Sequence, residues 1–129
     1  MKLSKNFSSS EFECPCMACS DKRALGNEMV NPVSDLISKL QTARDILGHS
    51  IIITSGVRCK AHNNDPDVGG SEFSSHLGGL AADIKCEHSR QRWDLVDALK
   101  EAGFTRIGPK KTFVHCDVDP NKPTDVLWL

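Results

Sequence analysis

The amino-acid sequence predicts a small α+β domain in which helices pack on one face of an antiparallel sheet. The chain has 129 residues, a length that one hydrophobic core can serve. Two segments repeat their apolar residues with the period of an amphipathic helix, and three short apolar runs bounded by turn residues are typical of strands. We find no internal repeat or linker, so we expect residues 1–129 to form one domain.

The N-terminal residues, 1–30, are the least regular part of the sequence. Few of their apolar residues recur with a period, and the segment ends in the polar stretch SDKRALGNEMVN. We expect an irregular, cysteine-containing arm that wraps the domain, with one helical turn over Ser8 to Phe12.

The first strong helix is predicted to begin at Asn31, a favourable N-cap, with Pro32 at the first helical position. Gly48 supplies its C-terminal stop. Between these residues the apolar positions follow the i, i+3, i+4, i+7 pattern of a face turned to the core: Val33, Leu36, Ile37, Leu40, Ala43 and Leu47.

Three strands and a second helix are predicted after residue 50. The β-branched run at residues 51–53 predicts a buried strand that enters the turn TSG, and a long polar loop follows over residues 57–79. Residues 80–86 and 112–118 predict two more strands. The last residues, 126–129, could add an edge strand, with Trp128 covering the sheet edge.

The second helix is predicted between these strands. Ser89 is its expected cap and Gly103 its expected end. The inner face is predicted to carry Trp93, Val96, Leu99 and Ala102.

Charge and hydropathy exclude several classes of function. The chain has 16 basic and 17 acidic residues and a formal net charge of -1 at pH 7, without the basic excess of nucleic-acid-binding proteins. The same balance argues against attachment to an anionic membrane, and no apolar run approaches the roughly 20 residues that span a bilayer. The N-terminal MKLSKNFSSSEFECP lacks the apolar stretch of a secretory signal peptide. We expect a soluble monomer made in the cytosol that binds neither nucleic acid nor membrane.

Two motifs contain residue types that bind metals. In SSHLGGLAADIKC, His76 ends the long loop and Asp83 follows seven residues later on the second strand, with two glycines between them. In FVHCDV, His115 and Asp117 are two residues apart and project from the same face of the third strand. If the two strands are neighbours, their site residues share a surface that His76 reaches from the loop.

Two imidazoles and one carboxylate suit zinc with a fourth tetrahedral position open, as in catalytic zinc sites. Such an ion can lower the pKa of water to about 7 and polarise a carbonyl under attack. Spacing alone leaves other interpretations open, since His76 could be a surface histidine, Asp83 a strand cap and His115 a core histidine.

Three ordered stretches carry a family resemblance: ITSGVRCKAHNN, VGGSEFSSHLGGLAADI with its SxHxxGxAxD core, and GFTRIGPKKTFVHCDVDP. They resemble the zinc D-alanyl-D-alanine carboxypeptidase and phage L-alanyl-D-glutamate endopeptidase family, which shares its zinc fold with the hedgehog signalling domain. The similarity extends from about Leu3 to Pro120 and is closest to short phage-type and prophage-type members. It implies a zinc site on the sheet, with the helices on the other face.

The resemblance implies roles for particular residues. His76, Asp83 and His115 match the three zinc ligands. Arg58, in the SGVRC turn, matches an arginine that holds a substrate carboxylate or carbonyl oxygen. A guanidinium suits that role because it stays charged and presents a fork of donors.

Two further residues have roles implied by the resemblance. Ser75 would orient the ligand loop or contact substrate. Asn63, in the HN pair, would bind substrate or brace the loop.

The catalytic carboxylate of the family does not transfer directly. Several relatives carry it three or six residues before the last zinc histidine, where this chain has Thr112 and Pro109. Asp117 is the remaining candidate, because its HxD arrangement with His115 resembles the short members. It would either exchange protons with the reacting water and leaving amine, or hydrogen-bond a ligand histidine and support the metal.

The cysteines allow a second metal site. Cys14, Cys16 and Cys19 lie within six residues, and Cys59 could complete a structural Cys₄ zinc site that ties the arm to the substrate-binding turn. Disulfides or free thiols are the alternative. Cys86 and Cys116 alternate with the site residues along their strands, so we expect them to be buried thiols.

The sequence thus predicts zinc-dependent hydrolysis of peptide bonds in bacterial peptidoglycan stem or cross-bridge peptides. Without an export signal, such an enzyme would act as a phage or prophage endolysin after the membrane is permeabilised. Three alternatives stay open: a D,D-carboxypeptidase that trims terminal D-alanine, a zinc-stabilised binding module without hydrolysis, and a thiol-redox or metal-sensing protein built on the cysteine arm.

Overall fold

A five-stranded sheet and two α-helices make up the part of the fold that the computed structural model describes, residues 2–13, 32–57 and 74–129. The helices are α1 (Ser34–Leu47) and α2 (Ser89–Glu101). The strands are β1 (Ile53–Ser55), β2 (Ala81–Lys85), β3 (Arg106–Pro109), β4 (Phe113–Asp117) and β5 (Val126–Leu127), and two 3-10 helices span Ser9–Phe12 and Ser75–Gly78. The α+β prediction is confirmed. Neither α-helix is both long and apolar enough to cross a membrane.

The sheet has the strand order β1-β2-β4-β3-β5. Its first four strands are antiparallel neighbours, whereas β5 pairs in parallel with β3, so the sheet is mixed rather than wholly antiparallel. β2 and β4 are adjacent, as the site prediction required. Strand β3 was not predicted, because its four residues include a glycine and end in a proline, which both weaken a strand signal.

Helix α1 begins two residues later than predicted. Pro32 lies outside the helix and the N-cap is Val33, whose backbone is extended and whose N–H donates to the Gly79 carbonyl at 2.9 Å. The predicted end is confirmed: Gly48 has a φ of 73°, and its N–H bonds the Arg44 carbonyl. The buried residues are Leu36, Ile37, Leu40 and Ala43, while Val33 and Leu47 are half-buried.

The predicted inner face of helix α2 is correct in part: Leu99 is buried, and Val96 and Ala102 pack partly buried against the core, but Trp93 does not lie on this face. Trp93 is 74% exposed, and the buried positions are Leu95, Ala98 and Leu99. Leu95 and Leu99 are one helical turn apart and therefore set the direction of the inner face. The N-cap is His88, whose side chain accepts from the Gln91 N–H at 3.2 Å.

The hydrophobic core lies between the helices and one face of the sheet. Alternate residues of the strands point into it, among them Ala82, Ile84, Val114 and Cys116. Cys86 and Cys116 are buried free thiols, as predicted. The opposite face of the same strands carries Asp83 and the other polar residues of the site.

The N-terminal residues contribute to this core. Phe7 and Phe12 are buried in it, and the predicted helical turn is present as the 3-10 helix Ser9–Phe12. The Phe12 carbonyl accepts from the Val57 N–H at 2.8 Å, and a Cβ on Gly56 would lie 2.7 Å from the Phe12 Cα. This packing fixes the backbone at Gly56, at the end of β1.

Alanine substitution of two aromatic residues tests whether Phe12 lies in the core and Trp93 outside it, by comparing their effects on the free energy of unfolding. We expect Phe12→Ala to lower the free energy of unfolding by about 3–5 kcal/mol, because it leaves a cavity where a fully buried ring packs. Trp93→Ala should change it by no more than about 0.5 kcal/mol, because the side chain is exposed. Urea denaturation followed by circular dichroism measures both, and equal losses would contradict the assignment.

Candidate metal centre

Asp83 and His115 face each other across two neighbouring strands. They are paired in the antiparallel register of β2 and β4, on the sheet face opposite the helices. His76 comes from the 3-10 helix Ser75–Gly78, which precedes β2. Gly79 ends that helix in the left-handed conformation, with a φ of 71°, and turns the chain into β2. One ligand atom from each of the three residues lies within 4.8 Å of the others.

The Asp83 carboxylate is the centre of this group. Its Oδ1 lies 2.9 Å from His115 Nδ1 and 3.3 Å from His76 Nε2. Asp83 and His76 are buried, and His115 is half-buried. Burial raises the pKa of Asp83, but hydrogen bonds with His115 and His76 and the charges of both imidazoles outweigh it and hold this pKa well below its usual range. Asp83 is therefore a carboxylate.

Hydrogen bonds behind the imidazoles determine which nitrogen of each ring faces Asp83. His76 Nδ1 lies 2.6 Å from the Gly56 carbonyl, which can only accept, so Nδ1 carries the proton. His115 Nε2 lies 2.7 Å from Asp117 Oδ2 and donates to it. These bonds leave His76 Nε2 and His115 Nδ1 directed at Asp83, in the arrangement that orients histidine ligands of metals.

The three side chains fit a zinc ion. Atoms bound to tetrahedral zinc at 2.0–2.2 Å lie roughly 3.2–3.6 Å apart. Asp83 Oδ1 lies 2.9 Å and 3.3 Å from the two imidazole nitrogens, so small side-chain movements would bring the atoms to those separations. Two nitrogens and one carboxylate oxygen are also a donor set that zinc accepts.

Asp117 contacts the opposite edge of the His115 ring from Asp83. Its side chain is 1% exposed, and Oδ1 accepts from Arg106 Nε at 2.7 Å and from the Asp119 N–H at 3.1 Å. Burial raises the pKa of Asp117, but the hydrogen bonds of His115 and Asp119 and the charges of His115 and Arg106 outweigh it and lower this pKa. Both carboxylate oxygens are thus engaged, and neither lies on the Nδ1 side of His115.

Arg106 and Trp128 lie behind Asp117 and His115. The Arg106 guanidinium also donates to the Pro123 carbonyl, and its central carbon lies 4.9 Å from the centre of the Trp128 ring. The Trp128 and His115 ring centres are 5.5 Å apart, with the planes tilted by 56°. Trp128 therefore covers the sheet on the face that carries the candidate metal centre. Arg106 was not predicted as a site residue because β3 was not predicted as a strand; in the register of β3 and β4, Arg106 shares the face of Gly108, which lies opposite His115.

Ser75 links the His76 turn to the end of β4. Its hydroxyl donates to Asp119 Oδ2 at 2.8 Å and accepts from Lys122 Nζ at 2.8 Å. Ser75 and Asp119 are both buried. Asp119 and Lys122 were not predicted as site residues. Their position two and five residues after Asp117 of the HxD motif was the sequence feature that could have indicated them. The contacts tie the 3-10 helix that carries His76 to the residues after β4, and the role of Ser75 in orienting the ligand loop stays a prediction.

Several predicted site residues lie outside the described residues, and their roles stay predictions: Arg58, Asn63, Cys14, Cys16, Cys19 and Cys59. The two positions where relatives carry a catalytic carboxylate are described. Thr112 is exposed in the turn between β3 and β4, and Pro109 is buried at the end of β3.

Comparison with known proteins identifies the family. No curated protein matches the chain significantly. A family model described as Peptidase M15 matches residues 5–117, a range that includes β1 to β4 and the whole His76, Asp83 and His115 group. The match confirms the resemblance at the level of the family, whose members are zinc-dependent peptidases. Because the family model matches most of the length of this chain, the chain belongs to the Peptidase M15 family of metallopeptidases.

Proposed function

We propose that the protein is a zinc peptidase that hydrolyses peptide bonds in the stem or cross-bridge peptides of bacterial peptidoglycan, acting as a phage or prophage endolysin. The observation that carries the proposal is the convergence of His76, Asp83 and His115 in a chain of the Peptidase M15 family. Zinc bound there would supply a Lewis acid for a carbonyl oxygen and a nucleophile near neutral pH.

In this proposal each residue of the site has one task. His76 and His115 present the nitrogens Nε2 and Nδ1, and Asp83 supplies the anionic ligand. Arg58 would hold a substrate carboxylate or carbonyl oxygen, as the resemblance implies. Ser75 would hold the His76 turn through its bond to Asp119.

Asp117 is proposed to orient His115 rather than to transfer protons. A general base must lie within hydrogen-bond reach of the proton it takes, directly or through one water. Asp117 instead meets His115 on the edge that faces away from Asp83, and Arg106 and the Asp119 N–H occupy its other oxygen. It therefore keeps a proton on Nε2 and leaves Nδ1 available to a metal.

A second candidate function is a zinc-stabilised binding module without hydrolysis. The observation that favours it is the lack of a carboxyl group at Thr112 and Pro109, the two positions where relatives carry the catalytic acid. Such a protein would bind zinc and peptidoglycan peptides without cleaving them.

Digestion of purified peptidoglycan tests the proposed activity. We expect the zinc-loaded protein to release peptide fragments, and a chelator or His76→Ala to abolish release, because either one removes the metal. His49→Ala is the matched control, since His49 is exposed and lies outside the His/Asp/His group.

Mass spectrometry of the fragments distinguishes the alternatives. New termini within stem or cross-bridge peptides identify an endopeptidase, and release of D-alanine alone identifies a carboxypeptidase. Zinc binding with intact peptidoglycan would contradict the proposed hydrolysis and favour the binding module.

Asp117→Asn separates orientation of His115 from proton transfer. An amide group that donates to Nε2 favours the tautomer with the proton on Nδ1, the nitrogen assigned to the metal. We expect zinc affinity to fall about 10–100-fold. A chromogenic chelator measures the affinity, with Asp97→Asn on the exposed face of α2 as control. Unchanged affinity with a loss of turnover at saturating zinc would instead identify Asp117 as the base.

Zinc affinity should rise with pH, because the metal must displace a proton from His115. Burial lowers the pKa of His115, but hydrogen bonds to Asp117 and Asp83 and the charges of both outweigh it and raise this pKa. The proton therefore persists to higher pH than on an ordinary histidine, whereas the lowered pKa of Asp83 keeps that ligand ionised. Isothermal titration calorimetry from mildly acidic to mildly alkaline buffers should show affinity increasing through neutrality, and a flat profile would contradict this linkage.

A further inference from the structure

The C-terminal residues approach the candidate metal centre through one aromatic side chain. We propose that Trp128 and Arg106 are positioning residues for His115: together they fix the plane of its imidazole and thereby set the metal affinity of the site. This inference rests on the proposed function, since it takes His115 to be a metal ligand.

The contacts of His115 show why a ring on its face matters. Its hydrogen bonds to Asp83 and Asp117 lie at the two ring nitrogens, and so they fix the direction of the nitrogens within the ring plane. Rotation out of that plane is restricted by packing. The Trp128 ring packs against the His115 ring, with the ring centres 5.5 Å apart. The His76 ring makes an edge contact with His115, with the ring centres 5.2 Å apart.

Arg106 connects Trp128 to the hydrogen-bonded carboxylate. It donates to Asp117 through Nε and to the Pro123 carbonyl, and its central carbon lies over the Trp128 ring at 4.9 Å from the ring centre. A planar group with several donors can make these three contacts at once, whereas a lysine ammonium has no such plane. Arg106 acts on His115 through Asp117 and through Trp128.

The backbone holds Trp128 in this place. β5 pairs in parallel with β3, and the Trp128 N–H donates to the Ile107 carbonyl at 3.1 Å. Gly108 lies opposite His115 in the register of β3 and β4, and a Cβ there would come within 2.7 Å of the indole. The glycine thus provides the space that the indole occupies beside His115.

The chain contains two tryptophans, which allows a matched fluorescence experiment. In Trp93→Phe, Trp128 is the sole tryptophan, and we expect zinc to change its emission and cobalt(II) to quench it. In Trp128→Phe, the exposed Trp93 of α2 should respond much less to either ion. A response equal in both variants would overturn the placement of Trp128 beside the metal.

Metal affinity tests the positioning role itself. We expect Trp128→Ala to weaken zinc binding about 10-fold, Trp128→Phe to restore most of it, and Arg106→Lys to weaken it about 10–100-fold. Gly108→Ala should weaken binding while keeping both side chains, because it displaces the indole. Trp93→Ala is the control, and circular dichroism with thermal unfolding confirms that each variant folds.

The outcomes distinguish this inference from the proposed function. If the wild type binds zinc and Trp128→Ala and Arg106→Lys bind it equally tightly, the inference is overturned while the proposed function stands. If the wild type binds no zinc, the proposed function fails and the inference fails with it. The cobalt(II) absorption spectrum provides a further readout, because a displaced His115 alters the ligand geometry, whereas a loss of stability alone leaves it unchanged.

Discussion

The buried carboxylate of Asp83 constrains the elements that surround it on this side of the molecule. Burial of an ionised group without partners costs several kcal/mol, so the surrounding structure must supply compensating charge or hydrogen bonds. His76 and His115 supply them at one oxygen, Oδ1, from two different elements. The turn at Gly79 and the register of β2 against β4 are therefore constrained by the same atom.

One face of the sheet packs in the hydrophobic core, and the other face carries the residues of the candidate metal centre. Helices α1 and α2 and the phenylalanines of the N-terminal residues bury the apolar face, and the site residues occupy the other. The core and the candidate metal centre are connected through Gly56. Phe12 packs on Gly56, and the Gly56 carbonyl holds the proton of His76 Nδ1, so a core contact helps to set the tautomer of a proposed ligand.

Sequence periodicity predicted the elements that follow simple rules. The apolar stripe and Gly48 identified most of α1, and strand parity placed Asp83 and His115 on one face. Tertiary contacts could not be predicted from the local sequence pattern. The hydrogen bond from Val33 to Gly79 keeps the backbone of Val33 extended, so α1 begins later than predicted. Trp93 is an apolar residue type, but its side chain is exposed. The four residues of β3 are too few to show the alternation of apolar and polar residues that predicts a strand. Arg106 was therefore not predicted as a site residue, although it donates a hydrogen bond to the predicted site residue Asp117.

The pairing of Arg106 with Asp117 bears on how a metal would behave in this site. Asp83 and Asp117 flank the same imidazole, and two uncompensated carboxylates would together balance the whole formal charge of a divalent ion. Arg106 balances Asp117 at 2.7 Å, which leaves Asp83 as the negative charge that faces the ion. In the proposed peptidase the ion therefore keeps a net positive charge and the capacity to polarise a carbonyl.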